Sequence, residues 1–264
     1  MLVGPHFDPM PANLIHYLFE WGGILTGMQF YRHQKRKSGQ GALLAPGSFA
    51  IVVGCILGAA IGNKLVFWIE VAHLIPQKIA DPRNWFLGQS IVGGLLGGLL
   101  GVEAAKKVIG QRESTGDLFV FPLILGTIVG RVGCFLAGLQ DGTFGLPSSL
   151  PWAVDFGDGI ARHPTQLYEI LFLLFLWGLL ASWRERLAAA NGLLFKCYLA
   201  AYLLWRLLID GLKPVPYAFP FGWSGIQWVC LLALLLYLPL LLRQWHTWRN
   251  GLPPAMPQPG VHRP

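Results

Sequence analysis

The chain has 264 residues, of which 54% are hydrophobic and only 12% are charged, and it contains 11 tryptophans. This composition excludes an ordinary soluble domain and is typical of an integral membrane protein. The net charge of +7 is not accompanied by a basic cluster with interleaved aromatic residues, so no nucleic-acid partner is expected.

The N-terminal stretch "MLVGPHFDPMPANLIHYLFEWGG" lacks the basic region and the small-residue cleavage site of a signal peptide. We therefore expect the N-terminus to be retained in the mature protein. In that case the first transmembrane helix directs the chain to the membrane.

Seven segments are long and apolar enough to cross a bilayer, whose core of about 30 Å requires roughly 20 residues per helix. The predicted transmembrane helices are residues 13–31, 47–70, 87–105, 117–138, 167–183, 193–212 and 222–242. Because backbone groups in lipid must be satisfied internally, the sequence predicts one all-α bundle over residues 1–243. The remaining residues, 244–264, are predicted to form a proline-rich cytoplasmic tail, and its last stretch, "GLPPAMPQPGVHRP", is predicted to be disordered.

The basic residues are distributed unequally between the two sides of this bundle. The connections on one side and the C-terminal tail carry 13 Lys and Arg residues, whereas the connections on the other side carry 4. The positive-inside rule therefore predicts an external N-terminus and a cytoplasmic C-terminus. The positive charge is then explained by attraction to an anionic cytoplasmic leaflet.

The four cysteines predict neither a disulfide framework nor a metal site. Each lies in a different predicted helix, without a C-x-x-C spacing and without an adjacent histidine. We therefore expect them to pack as small apolar side chains.

Four charged residues are predicted to lie at one depth inside the membrane. Lys64, Arg131 and Arg206 stand six or seven positions from the outer ends of three helices, which is about 9 to 10 Å along each helix axis. Glu20 reaches a similar depth on the first helix. Each residue alone is explained by snorkelling or by a bond to a neighbouring helix. Charges at one level on several helices favour a polar cavity that opens to the outer face.

An anionic phospholipid is the ligand that this cavity is expected to hold. Guanidinium groups suit phosphate oxygens, and the predicted depth is that of a lipid headgroup whose acyl chains remain in the bilayer. A voltage sensor requires several arginines on one helix, and a proton relay requires a chain of carboxylates or histidines across the membrane. The sequence has neither.

Glycines favour close contact between the helices around this cavity. Gly93, Gly97 and Gly101 recur at intervals of four on the third helix, and Gly126 and Gly130 precede Arg131 on the fourth. Small residues at this spacing let helix backbones approach each other.

The segment 139–166 is the longest connection between the predicted helices. It combines turn dipeptides such as Asp141-Gly142 and Asp158-Gly159 with aromatic residues. We expect a structured outer loop, either carrying chemistry over the cavity or only covering the bundle.

Several motifs in chain order resemble those of the prolipoprotein diacylglyceryl transferases of bacterial inner membranes. They are "GRVGCFLAG", "LPWAVDF", "RHPTQLYE", "AYLLWRLLIDGLKP" and "WSGIQW". The resemblance implies a multi-pass inner-membrane enzyme without a cofactor. It implies transfer of diacylglyceryl from phosphatidylglycerol to the lipobox cysteine thiol of a prolipoprotein, with release of glycerol phosphate.

The resemblance also implies roles for individual residues. Arg131 and Arg206 match the family's two arginines, which implies that they hold the lipid phosphate and stabilise the leaving group. Tyr17 matches the family's tyrosine on the first helix after a small gap, and Gly142 matches a required glycine. Asp210 stands where the family has a glutamate.

The predicted site contains further residues from the polar layer and the outer loop. Catalytic roles are predicted for Arg131, Arg206, His163, Tyr17 and Asp210, and substrate binding for Arg131, Arg206, Lys64, Glu20, Gly142, Gln166, Tyr168 and Glu169.

The sequence departs from the family pattern in the part that serves the acceptor. The pattern G-R-x-G-N-F-x-N-G-E is changed at Cys134, Ala137 and Leu139, and Val92 replaces a histidine proposed as the base for the thiol. Asp141, Asp155, Asp158, His163 and Glu169 are the candidates to take the proton instead. His163 is the first choice because its ordinary pKa lies near neutrality, although it is equally suited to capping the fifth helix.

Three functions remain open from the sequence. The first is a divergent transferase that acts on a lipobox thiol or on another nucleophile. The second is a non-catalytic phospholipid-binding membrane protein of the same fold. The third, a transporter, is disfavoured because the inner halves of the helices are almost entirely apolar.

Overall fold

The computed structural model describes residues 2–5, 9–37, 46–78, 80–86 and 88–251. Residues 252–264, which include most of the predicted tail, lie outside the described residues. Seven long helices are present in the described part: α1 Pro9–Lys37, α2 Pro46–Glu70, α4 Ile91–Val108, α5 Val120–Ala137, α6 Thr165–Leu187, α7 Leu193–Ile209 and α8 Gly225–Arg249. A single-turn helix, α3 Ile75–Lys78, follows α2.

Four stretches of these helices are long and apolar enough to cross a membrane. They are Gly47–Glu70, Gly116–Asp141, Thr165–Leu187 and Gly225–Arg249. Of the other long helices, α7 has only 17 residues, and α4 carries three charged residues in its 18. The described chain is therefore a helical membrane protein with several candidate spans.

The outer surface of the helices is apolar. Trp21 on α1 is 64% exposed, Phe175 on α6 is 69% exposed and Leu236 on α8 is 78% exposed. Water does not solvate apolar surface of this extent well, whereas lipid does. The buried core lies between α4, α5, α6, α7 and α8, around Tyr198 and Tyr202, which are both completely buried.

The helices associate in pairs, and two of the pairs, α1 with α5 and α2 with α4, meet along seams of glycine. The contacts join α1 with α5, α2 with α4, α5 with α6, and α7 with α8. A Cβ atom added at Gly97 on α4 would lie 2.2 Å from the carbonyl oxygen of Gly58 on α2, and one added at Gly23 on α1 would lie 2.5 Å from that of Gly126 on α5. The two backbones in each pair therefore approach more closely than any side chain permits.

Side-chain caps fix the ends of the helices that carry the site. The Asp117 carboxylate accepts hydrogen bonds from the backbone N–H groups of Gly192 and Phe195, at 2.7 and 2.9 Å, where α7 begins. At the start of α8, Ser224 and Gln227 form a reciprocal capping box. The Glu70 carboxylate at the end of α2 accepts from the backbone N–H of Ile226 at 2.8 Å.

A small sheet departs from the predicted all-α fold. β1 (Leu2–Val3) pairs in parallel with β2 (Val154–Asp155), and β2 pairs antiparallel with β3 (Ala161–Arg162). The Asp155 carboxylate accepts hydrogen bonds from three successive backbone N–H groups at residues 157–159, which fixes the turn between β2 and β3. Strands of two residues are too short to show an alternating pattern, so the sequence did not predict them.

The glycine seam between α2 and α4 predicts a large difference between two identical substitutions on α4. Gly97→Ala forces the helices apart and is expected to lower the free energy of unfolding by about 1 to 3 kcal/mol through overpacking. Gly94→Ala is the control, because a Cβ atom there meets no other atom within 4 Å; it is expected to be neutral or slightly stabilising. Thermal unfolding in detergent measures both variants, and equal melting temperatures would contradict the observed packing.

Candidate active site

A cavity of about 1450 Å³ lies between the α1–α5 pair and the α2–α4 pair. This volume exceeds the 300 to 1,000 Å³ typical of pockets for small molecules. Its walls are mostly apolar along the helices. Charged groups from α5, from the end of α7 and from the following turn line one end, including Arg131, Arg206, Asp210 and Lys213. Other charged residues line the cavity where α4 ends and α7 begins, namely Glu103, Lys106, Arg112 and Lys196. The cavity therefore has a mostly apolar middle and charged groups at both ends, and the end with the two arginines is called the charged end below.

Two arginines from different helices meet at this end on one carboxylate. Arg131 Nε on α5 lies 2.9 Å from Oε2 of Glu169 on α6, and Arg206 Nη1 on α7 lies 3.4 Å from the same oxygen. Tyr202 donates a hydrogen bond of 2.6 Å to the other carboxylate oxygen. Both arginines line the cavity, whereas Glu169 is 1% exposed and lies behind them.

Arg206 is held by a second carboxylate, from the 3₁₀ turn Asp210–Leu212 that follows its helix. Its Nη2 lies 2.7 Å from Asp210 Oδ1, and Lys213 Nζ lies 3.7 Å from the same oxygen. The Ser224 hydroxyl donates to Asp210 Oδ2 at 3.4 Å. Arg206 Nε is buried and has no hydrogen-bond partner among the described residues.

The charged end is positive. Three cations, Arg131, Arg206 and Lys213, surround two carboxylates, Glu169 and Asp210. Burial lowers the pKa of Lys213 to about 8, and the neighbouring positive charge of Arg206 acts in the same direction. Below this pH the cluster carries one net positive charge, which favours an anionic ligand.

A second cluster lies against the first on the same cavity. His16 Nδ1 on α1 lies 2.7 Å from Asp141 Oδ1, and Cys134 Sγ on α5 completes a group whose three donor atoms lie within 4.8 Å of one another. The Thr143 hydroxyl donates to the other oxygen of Asp141. Arg131 Nη1 is 3.7 Å from Cys134 Sγ, so this arginine belongs to both clusters.

The local backbone explains why Asp141 reaches α1. The helix α5 ends at Ala137 and continues as a 3₁₀ turn over Gly138–Asp141, which redirects the chain towards α1. Gly142 ends this turn with a φ of 67°, a left-handed conformation that glycine adopts without strain. The turn therefore brings Asp141 beside His16, a residue 125 positions earlier in the chain.

The family model for prolipoprotein diacylglyceryl transferase matches residues 16–243. This chain belongs to the prolipoprotein diacylglyceryl transferase family. Its relatives include proteins named phosphatidylglycerol–prolipoprotein diacylglyceryl transferase in Geobacter sulfurreducens and Nitratidesulfovibrio vulgaris. The first is 32% identical over 78% of this chain and 82% of the relative, and the second is 31% identical over 92% and 96%. A relative of the same name in Bordetella avium is 31% identical over 80% and 83%.

Most of the site residues that the sequence predicts on the long helices line this cavity. Besides the two arginines and Asp210, they include Tyr17 and Glu20 on α1 and Gly142 after the 3₁₀ turn. Lys64 on α2 is not among the wall residues; its Nζ donates a hydrogen bond of 2.6 Å to the carbonyl oxygen of Gly88.

The residues predicted around the start of α6 lie away from the cavity wall. Tyr168 OH accepts a hydrogen bond of 2.8 Å from Trp152 and lies 3.2 Å from Nδ1 of His163. Gln166 is 1% exposed, and neither polar atom of its side chain has a hydrogen-bond partner in the described part of the chain. Glu169 contacts the two arginines and Tyr202 from behind the wall, as described above.

Two positions that depart from the family pattern have different surroundings. Val92 is completely buried in the hydrophobic core and does not line the cavity. Cys134 is on the wall, beside His16 and Asp141. The sequence did not predict this cluster, because its members come from separate elements and no local spacing connects His16 with Cys134.

Loss of the shared carboxylate is expected to destabilise the protein. Glu169→Ala leaves two buried guanidinium groups without their common counter-ion, and removal of one partner from a buried ion pair costs about 3 to 5 kcal/mol. Asp81→Ala, which breaks an ion pair of 3.4 Å with Arg83, whose side chain is 92% exposed, is the control and is expected to cost no more than about 1 kcal/mol. Thermal unfolding in detergent compares the two, and a Glu169 variant as stable as the control would refute the role of the carboxylate.

Proposed function

We propose that this protein transfers a diacylglyceryl group from phosphatidylglycerol to the lipobox cysteine thiol of a prolipoprotein and releases glycerol phosphate. The observation that carries the proposal is the pair formed by Arg131 and Arg206 at the charged end of a cavity large enough for a two-chain lipid. The names of the relatives agree with this substrate pair.

Phosphatidylglycerol fits the cavity in one orientation. Its phosphate binds the two guanidinium groups, which present fixed donors suited to phosphate oxygens. Its acyl chains follow the apolar walls formed by α1, α2, α4 and α5. Glu169 and Asp210 are positioning residues, since they hold the arginines in place from behind and from the side.

The reaction is a nucleophilic displacement at carbon. The acceptor sulfur, having lost its proton, attacks the glycerol carbon that carries the phosphate ester. A carbon–sulfur bond forms, the carbon–oxygen bond breaks, and the electron pair leaves with glycerol phosphate. Arg131 and Arg206 stabilise the negative charge that develops on the leaving oxygen. Electrostatic stabilisation of this kind is often the largest single contribution of an enzyme.

We further infer that all seven long helices cross the bacterial inner membrane, with the N-terminus outside. The distribution of Lys and Arg supports this orientation. It puts the charged end of the cavity in the outer half of the bilayer, where the lipobox of an exported prolipoprotein emerges. Among the five residues predicted to take the acceptor's proton, Asp141 lies on the cavity wall.

A non-catalytic lipid-binding role is the second candidate function. It is favoured by Val92 and Cys134, which stand where the family pattern has histidine and asparagine. On this hypothesis the protein binds phosphatidylglycerol tightly through the two arginines and releases no glycerol phosphate with any acceptor.

The assay that tests the proposal incubates the purified protein with radiolabelled phosphatidylglycerol and a lipobox peptide. Labelled peptide and free glycerol phosphate are the expected products. Arg131→Lys and Arg206→Lys are each expected to lower the rate by about 10² to 10³, the usual effect of losing one donor to a developing oxyanion. Arg184→Lys is the matched control. Arg184 lies near the end of α6, whereas Glu169, which contacts both cavity arginines, lies near its start, and the Arg184 guanidinium lies over the ring of Phe121.

The outcomes of this assay separate the two functions. Lipid binding that is lost in Arg131→Ala, without product from any acceptor, would establish the binding role and reject the transferase. Equal rates for Arg206→Lys and Arg184→Lys would reject the assigned phosphate site.

Lys213 predicts a pH dependence of lipid binding. Because its pKa is about 8, the charged end loses one positive charge as the pH rises from 7 to 9, and the affinity for phosphatidylglycerol is expected to fall. The Lys213→Met variant should bind the lipid more weakly at pH 7, and its affinity should not fall further between pH 7 and 9. The Lys107→Met variant, changed on the exposed surface of α4, should keep the fall in affinity. Calorimetric titration with the lipid measures both.

This pH effect is distinct from unfolding. A lysine whose pKa is lowered on folding binds fewer protons in the folded state, so its contribution to stability improves as the pH rises between about 8 and 10. A wild-type affinity that stays constant from pH 7 to 9 would contradict the role of Lys213.

A further inference from the structure

The cluster of His16, Cys134 and Asp141 has the composition of a catalytic zinc site. An imidazole nitrogen, a thiol sulfur and a carboxylate oxygen lie within 4.8 Å of one another. Nitrogen and sulfur ligands together favour Zn²⁺ over magnesium or calcium, which prefer oxygen. In catalytic zinc sites three protein ligands are usual, and the fourth position is open to water or substrate.

The surroundings of the three donor atoms suit a cation. His16 Nδ1 is buried and makes no aligned hydrogen bond within the described part of the chain, yet it lies 2.7 Å from a carboxylate oxygen of Asp141. Two electron-rich atoms at this distance repel each other unless a proton or a cation lies between them. Tetrahedral zinc separates its nitrogen, oxygen and sulfur ligands by roughly 3.3 to 3.6 Å, which small side-chain rotations provide.

The residues around the cluster match the second layer of a metal site. His16 Nε2, the nitrogen away from Asp141, lies 3.8 Å from a carboxylate oxygen of Glu20. The hydroxyl of Thr143 donates to the other oxygen of Asp141. Metal-binding histidines and carboxylates are typically oriented by outer hydrogen bonds; Thr143 supplies one to Asp141, and Glu20 is near enough to His16 for an ion pair. Cys134 is 8% exposed and the Asp141 side chain is 3% exposed, whereas the His16 side chain is 31% exposed, so the cluster is open to the cavity on the side of His16.

We propose that His16, Cys134 and Asp141 bind one Zn²⁺ whose fourth position receives the acceptor thiol. The proposal that these residues bind zinc depends only on the geometry of the cluster. The proposal that the acceptor thiol binds the metal rests on the proposed function. The two ligand anions, the Cys134 thiolate and the Asp141 carboxylate, balance the charge of the ion.

Zinc supplies the function that the missing histidine would have had. A thiol that coordinates Zn²⁺ gives up its proton, and this proton passes to water. The sulfur electron pair then attacks the glycerol carbon, the carbon–oxygen bond breaks, and glycerol phosphate leaves on the arginines. Arg131 Nη1 is 3.7 Å from Cys134 Sγ, so this arginine, which would hold the lipid phosphate, also contacts one of the residues that would hold the metal. The thioether product binds zinc weakly and departs.

The first experiment measures metal binding by the full chain in detergent. The protein is stripped with a chelator, titrated with Zn²⁺ alone and assayed for bound metal; one ion per chain is expected. Substitution with Co²⁺ should produce a thiolate-to-cobalt charge-transfer band. Less than stoichiometric zinc, or cobalt bound without this band, in the unsubstituted protein would overturn the proposal.

Variants assign the ligands. Cys134→Ser, His16→Gln and Asp141→Asn are each expected to weaken zinc binding by at least about 100-fold, and Thr143→Val by about 10- to 100-fold. Cys197→Ser is the matched control, because Cys197 on α7 is a free thiol that does not line the cavity. Retained phosphatidylglycerol binding verifies the fold of each variant. Full zinc affinity and a charge-transfer band in Cys134→Ser would overturn the assignment.

A final arm separates this inference from the proposed function. Chelation should abolish glycerol phosphate release from the active protein, and Zn²⁺ should restore it, without change in lipid binding. Full activity after removal of the bound zinc would overturn the role of the metal in thiol activation. Stoichiometric zinc in a protein that is inactive with every acceptor would instead reject the proposed transferase function and leave the metal site standing.

Discussion

The carboxylate of Glu169 is the centre on which the site depends. Arg131 on α5 and Arg206 on α7 share one of its oxygens, and without it two buried guanidinium groups would repel each other. The ion group joins three helices, and it does so at the wall of the cavity. It stabilises the bundle and also fixes the direction of the two guanidinium groups that we propose bind the lipid phosphate, so one set of contacts serves both folding and the proposed ligand binding.

The glycine seams are what make room for this site. The contacts of α2 with α4 and of α1 with α5 are too close for side chains to lie between the backbones. Each pair is therefore closely packed along its glycine seam. The space between the two pairs then remains as a cavity of about 1450 Å³. Bulky residues along the seams would separate the partners of each pair and reduce this space. Close packing within each helix pair therefore leaves room for the large cavity between the two pairs.

The two clusters divide the proposed chemistry between them. The arginine pair suits the phosphate of the donor lipid, and the group formed by His16, Cys134 and Asp141 suits activation of the acceptor. Arg131 touches both. The departures from the family pattern also make sense in this arrangement: Val92 is part of the hydrophobic core, while Cys134 stands on the cavity wall beside two other potential metal ligands.

The sequence by itself determined the helices, the family and the two arginines, because membrane helices are long apolar segments and the motifs around Arg131 and Arg206 are local. The predicted segments differ from the observed long helices mainly at their ends. It did not determine which polar residues face the cavity. His163 and Arg131 both lie in family-like motifs and both are predicted to be catalytic, but of the two only Arg131 lines the cavity wall. Only the tertiary structure decided that His16 and Asp141 meet, because residues distant in sequence become neighbours through helix pairing and the turn after α5.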